Sequence, residues 1–85
     1  MDAGTLNRRE HAILRAVAAG RAELLISCAP DLLIDGGWCD HTAVTRLVSE
    51  GWIRPARPAV AGERVPARLT EGAAEALGIP RRQSA

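Results

Sequence analysis

One short stretch decides the fold, DHTAVTRLVSEG at residues 40–51. Asp40 is a suitable N-terminal cap, because its carboxylate can accept the first free backbone N–H groups of a helix. Gly51 can adopt the left-handed conformation in which many helices end. The pattern therefore predicts a helix over residues 40–50. Its buried side is marked by three aliphatic residues at helical spacing, Val44, Leu47 and Val48.

The segment before this region contains another helical pattern. Apolar residues recur at helical spacing from Thr5 to Ala19, which predicts a first helix. Thr5 is the expected N-terminal cap, and Gly20 is the expected stop.

Two short apolar runs, Ala22–Ile26 and Asp31–Asp35, connect the two helices. They are rich in Leu and Ile and are separated by a turn that ends in Pro30, so we expect a β-hairpin. A continuation of the first helix is the alternative, but Pro30 and the Gly36-Gly37 pair would cut it short.

The C-terminal half reads as a ribbon followed by a short helix. Trp52–Pro58 and Arg64–Leu69 are extended runs around a Gly-containing turn, and three prolines confine them to loosely paired positions. We expect the turn to lack a rigid frame. Thr70 is the expected cap of a last helix over Glu71–Leu77.

Length and composition limit what the protein can do. The 85 residues predict one domain over residues 1–80, with residues 81–85 as a mobile tail. The hydrophobic fraction is 47%, but 16 of those residues are alanine and only two are aromatic, so the core is expected to be thin. A large substrate pocket is improbable in so small a core. We therefore expect no enzyme, no cofactor and no metal site.

The same composition bears on location. No uninterrupted apolar run exceeds four residues, so neither a membrane span nor a secretory signal is expected. Two cysteines are too few for a disulfide framework. We expect a soluble, cytoplasmic protein with reduced thiols and no membrane partner.

Several local phrases resemble one family of regulators. The phrase LVSEGWI at residues 47–53, the arginines around the following turn and the phrase LTEG at residues 69–72 are similar to the second half of winged helix-turn-helix regulators of the MarR or PadR type. The similarity covers about residues 40–77, and residues 21–39 depart from it. It implies an α+β, winged-helix-like domain: helix, β-hairpin, recognition helix, two-stranded wing and short C-terminal helix. It also implies DNA binding and transcription regulation.

The residue pattern predicts a surface that binds double-stranded DNA. Small polar side chains on the outward side of helix 40–50 suit a major groove, and arginines on the wing suit the phosphate backbone. Residues 51–70 carry four arginines against one carboxylate, which favours phosphate contacts. We expect Arg46 to read a base and Arg64 to hold a phosphate, with both side chains exposed and of little consequence for stability. The predicted binding residues are Thr42, Thr45, Arg46, Ser49, Arg54, Arg57, Arg64 and Arg68.

A second function stays open. Residues 21–40 carry four carboxylates against one arginine, so this acidic hairpin could instead be the working surface of a protein-interaction module with an unknown partner. We also predict a modest homodimer, formed through the first helix or through the last helix. The last helix has small residues that permit close approach: Ala73, Ala74, Ala76 and Leu77.

The cysteines and tryptophans are expected to be structural. Cys28 and Cys39 lack the paired short spacing of zinc ligands, so we expect Cys28 to fill the core and Cys39 to pack under Trp38. Trp38 and Trp52 flank the central helix and are expected to anchor its two ends in the core.

Overall fold

A computed structural model describes residues 2–79 and has an α+β fold, which confirms the predicted class at that level. Within this range the elements follow the chain as a 3-10 turn Ala3–Thr5, α1 Arg8–Ala18, β1 Ala22–Leu25, β2 Asp31–Ile34, β3 Gly37–Trp38, α2 His41–Ser49, β4 Ile53–Pro55, β5 Arg64–Leu69 and α3 Glu71–Leu77. The predicted tail lies outside the described residues.

The five strands form one antiparallel sheet in the order β3-β2-β1-β5-β4. The ribbon of β4 and β5 is joined to the β1–β2 hairpin through β1 and β5. Residues of all three helices and of one sheet face form a common core, so the other sheet face is left toward solvent. The fully buried aliphatic side chains of the core are Leu14, Leu24, Leu32, Val44, Leu47 and Val65.

The first helix begins two residues later than the sequence predicts. Asn7 caps it, with its side chain accepting a hydrogen bond from the Glu10 backbone N–H at 2.8 Å. The Glu10 carboxylate in turn accepts from the Asn7 backbone N–H at 2.9 Å. This reciprocal capping box satisfies two free donors, so the predicted cap at Thr5 is wrong. Thr5 instead ends the preceding 3-10 turn.

The predicted hairpin is confirmed, and the structure adds a third strand to it. Asp35 and Gly36 have positive φ angles of 50° and 83°, which turn the chain back so that β3 pairs with β2. Trp38 on β3 is 60% exposed, so its predicted role as a core anchor is wrong. Trp52 is 2% exposed, which confirms its place in the core.

The ends of α2 and α3 match the sequence prediction. The Asp40 side chain accepts a hydrogen bond from the backbone of α2, and Gly51 after the helix has a φ of 82°. The Thr70 side chain caps α3, which ends at Gly78 in the left-handed conformation.

The turn between β4 and β5 is held in place by hydrogen bonds, which the sequence did not predict. Backbone hydrogen bonds run from Gly62 to Ile26 at 2.8 Å and from Ile26 to Glu63 at 2.9 Å. The Glu63 carboxylate also accepts from the backbone N–H of Val60 at 2.9 Å. The hairpin turn before β2 therefore holds the ribbon turn, and the expectation of a loose turn is wrong.

Helix α3 does not offer the surface that was expected to form a dimer. Ala73 and Ala74 are buried in this chain's own core, while Ala76 and Leu77 are half-buried against it. Small residues here allow α3 to approach its own sheet closely. No helix in residues 2–79 is long and apolar enough to cross a membrane.

Candidate nucleic-acid interface

The solvent side of the sheet carries most of the ribbon arginines. Along β5 the buried residues Val65 and Ala67 alternate with exposed Arg64 and Arg68. Successive side chains of a strand point to opposite faces, so these arginines lie on the side away from the helices. We call this side the outer face and define it by Glu23, Leu33, Trp38, Arg54, Arg64, Pro66 and Arg68.

Arg54 and Arg68 face each other on the outer face. They are directly opposite partners in the pairing of β4 with β5, and both are exposed. Neither has a carboxylate within 4 Å in residues 2–79. Like charges directly opposite each other in a sheet are destabilising. The sheet therefore presents two adjacent cations without compensation.

The other two ribbon arginines have partners. Arg64 Nε lies 3.6 Å from Glu23 Oε1, on the adjacent strand of the outer face. A terminal nitrogen of Arg57 lies 3.7 Å from Glu63 Oε2, across the ribbon turn. Arg64 is exposed, as the sequence predicts, but it has a carboxylate partner.

The predicted helix residues lie in the other layer of the molecule. Thr42, Thr45 and Ser49 are exposed on α2, which packs on the inner face of the sheet. The structure thus brings these three residues together, but it does not bring them together with Arg54 and Arg68.

Arg46 is committed to contacts within the protein. One terminal nitrogen lies 3.0 Å from Glu10 Oε2, and its Nε donates to Glu50 at 2.9 Å. The hydrogen bond to Glu50 and the charges of Glu10 and Glu50 raise the pKa of Arg46 above its ordinary value. Two of the three guanidinium nitrogens of Arg46 are held by carboxylates, so the side chain is poorly placed to reach a base.

The partner of Arg46 makes this contact structural. Glu10 is 1% exposed, and within residues 2–79 its carboxylate accepts only from Arg46 and from the backbone N–H of Asn7. An unpaired buried charge is strongly destabilising. The structure therefore leads us to expect that removing Arg46 lowers stability, whereas the sequence predicted little effect.

The carboxylates of the acidic hairpin have basic partners in the same chain. The four pairs are Glu23 with Arg64, Asp31 with His41, Asp35 with Arg21 and Asp40 with Arg9. The shortest contact, 2.7 Å, joins His41 Nδ1 to Asp31 Oδ1 and ties the start of α2 to β2. An excess of carboxylates in the sequence thus does not become an unpaired acidic surface.

Sequence reasoning missed two further arginines. Arg8 and Arg15 lie on the solvent side of α1 and have no carboxylate within 4 Å in the described part of the chain. With His11 and Ala12 they line a surface pocket on the helical side of the molecule. Their spacing of seven residues in a helix is the signal that could have indicated a shared face.

The cysteines are not arranged as predicted. Cys28 is exposed in the hairpin turn, so it does not fill the core. Cys39 is half-buried against the core, and this burial raises the pKa of its thiol. Trp38, under which Cys39 was expected to pack, is itself exposed. Within residues 2–79, no three His, Cys, Asp or Glu side chains are grouped closely enough to hold a metal ion.

Comparison with protein-family models, curated proteins and solved structures finds no match. The class of molecule is therefore defined by the fold and the outer face alone. It is a small α+β domain with three helices on one side of a five-stranded antiparallel sheet and an uncompensated arginine pair on the other side.

Proposed function

We propose that this domain binds DNA by holding backbone phosphates on its outer face. The observation that carries the proposal is the pair Arg54 and Arg68, two adjacent cations without a carboxylate partner in residues 2–79. A phosphate between them relieves their repulsion and receives charge-assisted hydrogen bonds. Release of condensed counterions from the DNA adds a favourable, salt-dependent contribution.

The contact pattern favours the backbone over the bases. Arg54 and Arg68 lie on a broad sheet surface and not on an element that enters a groove. Phosphate contacts fix position without reading sequence. We therefore expect modest sequence preference, with α2 contributing little to binding. The transcriptional role implied by the resemblance of residues 40–77 stays part of this proposal.

The interaction-module alternative has less support. It needs an acidic surface, and the four carboxylates of the hairpin are engaged by Arg64, His41, Arg21 and Arg9. The arginines Arg54 and Arg68 have no such engagement, so anionic ligands are the better match to the exposed charge.

The test is fluorescence anisotropy with a mixed-sequence duplex over a salt series. Two phosphate contacts predict a slope of log affinity against log salt of about −1.8. Replacing Arg54 and Arg68 together with Gln should remove most of the slope and most of the affinity, because each lost phosphate contact lowers the slope by about one unit.

Two controls locate the surface. The double variant Arg8→Gln/Arg15→Gln changes the net charge by the same amount on the opposite side, and it should bind almost like the parent. The double variant Thr42→Ala/Thr45→Ala tests α2 directly and should also bind like the parent. Equal losses in the two arginine variants would mean that net charge alone drives binding. A loss confined to the threonine variant would move the contact surface to α2.

A further inference from the structure

The outer face also carries a row of side chains that the phosphate contacts do not use. Trp38 is paired with Leu33, Leu33 with Glu23 and Glu23 with Pro66, so the row crosses four strands. Directly opposite residues project from the same side of a sheet. Three of the four side chains are apolar, and the one charge, Glu23, is neutralised by Arg64 at 3.6 Å.

Trp38 is the outstanding member of this row. Its side chain is 60% exposed on a two-residue edge strand, whereas Trp52 is 2% exposed in the core. An exposed indole offers a flat π surface on which a planar ring can stack. The phosphate proposal gives this surface no role.

The position of Trp38 relative to the arginine pair suits one kind of ligand. Trp38 lies on β3 and Arg54 on β4, the two edges of the five-stranded sheet. Four strand spacings separate them by roughly 19 Å. A ligand that reaches both must present phosphates at one end of the face and an unpaired base at the other. In a duplex the base faces are covered by their neighbours, but in a single strand they are free to stack on aromatic side chains.

We infer that the outer face binds single-stranded nucleic acid, with a base stacked on Trp38 and phosphates held by Arg54 and Arg68. The inference rests on the proposed function and names the form of nucleic acid that this surface prefers. A single strand crosses the sheet from β3 to β4 over this row, in which the one charge is paired with Arg64, and ends at the arginine pair. Single-stranded DNA and single-stranded RNA share this chemistry.

The experiment compares three probes of one mixed sequence of about 12 nucleotides: single-stranded DNA, single-stranded RNA and duplex DNA. The readouts are anisotropy of the labelled probe and intrinsic tryptophan emission. Trp38 should be quenched by either single strand, while buried Trp52 supplies a constant background. The parent should bind the single strands more tightly than the duplex.

Two substitutions separate stacking from charge. Trp38→Leu should weaken single-strand binding by between about 5-fold and 150-fold, the loss expected for one stacked base, and leave duplex binding unchanged. Trp38→Phe keeps an aromatic ring and should retain most of the preference. Circular dichroism should show both variants folded, because the replaced side chain is exposed. The charge variant Arg54→Gln/Arg68→Gln should weaken all three probes.

Three outcomes overturn the inference. If duplex and single strands bind equally and Trp38→Leu behaves like the parent, the single-strand preference is refuted while the phosphate proposal stands. If no probe binds even at low salt, both fail. If Trp38 emission instead changes with protein concentration alone and sedimentation shows a dimer, a second copy of the chain occupies the face. A preference for RNA or DNA identifies which of the two sources of single strand is bound.

Discussion

Replacing Arg54 with Gln should make the protein more stable while it weakens nucleic-acid binding. The Cβ atoms of directly opposite strand residues lie about 5 Å apart, and diagonal neighbours lie about 7–8 Å apart. We use about 8 Å for two guanidinium groups that turn away from each other. Two unit charges at about 8 Å in water repel by about 0.5 kcal/mol. That value falls within the range of about 0.2–1 kcal/mol found for cross-strand pairs. Arg68 faces Arg54 in the register, and neither has a carboxylate partner in residues 2–79.

The assay is urea unfolding followed by the emission of buried Trp52, together with a thermal melt. A gain of about 0.5 kcal/mol corresponds to a Tm increase of about 2–4 °C in a domain of this size. The gain should be largest in dilute buffer and should disappear near 1 M salt, where the Debye length is about 3 Å. The salt comparison separates repulsion from any change in strand propensity.

Arg64→Gln is the matched control on the same face. Arg64 has Glu23 at 3.6 Å, so its replacement removes an attraction and should not stabilise the protein. The reasoning is refuted if Arg54→Gln is no more stable than the parent at low salt, or if its gain is the same at high salt. A gain of equal size in Arg64→Gln would show that general positive charge, and not the local pair, is the cause.

Two further outcomes follow from the contacts. In urea titrations, Arg46→Ala should lower the free energy of unfolding more than Arg64→Ala. Loss of Arg46 leaves the buried carboxylate of Glu10 without its cation, whereas the partner of Arg64 is hydrated. Equal losses would contradict the structural role of Arg46. Cys39 should react with iodoacetamide more slowly than Cys28 at pH 8, as followed by peptide mass spectrometry. Burial raises the pKa of the Cys39 thiol and so lowers its thiolate fraction. Faster reaction at Cys39 would refute this.

The parts of the fold that the sequence predicts are those set by neighbouring residues. Asp40 and Thr70 cap their helices through backbone groups three positions away, and Gly51 ends α2 by its own conformation. The hairpin prediction succeeded for the same reason, because a turn divides two short apolar runs. The first helix was misplaced because Thr5 and Asn7 are both good caps, and only Asn7 has Glu10 three residues later to complete the box.

The parts that the sequence does not predict depend on distant residues. Whether Trp38 is buried depends on β3 becoming an edge strand, and two residues after a glycine turn give no clear strand pattern. The partnership of Arg46 with Glu10 joins positions 36 residues apart and requires α1 and α2 to meet on the same core. The ribbon turn looked unsupported because its support comes from Ile26 in another hairpin.

The same dependence on distant residues governs the candidate site. Counting charges along the chain made residues 21–40 acidic and residues 51–70 basic, yet Glu23 of the first segment neutralises Arg64 of the second. A ligand interacts with the charges that remain unpaired after such ion pairs have formed. On the outer face that remainder is Arg54 and Arg68, which the register holds opposite each other at a cost in stability. A bound anion relieves this repulsion, and for that reason we propose the arginine pair as the position on the outer face where a phosphate binds.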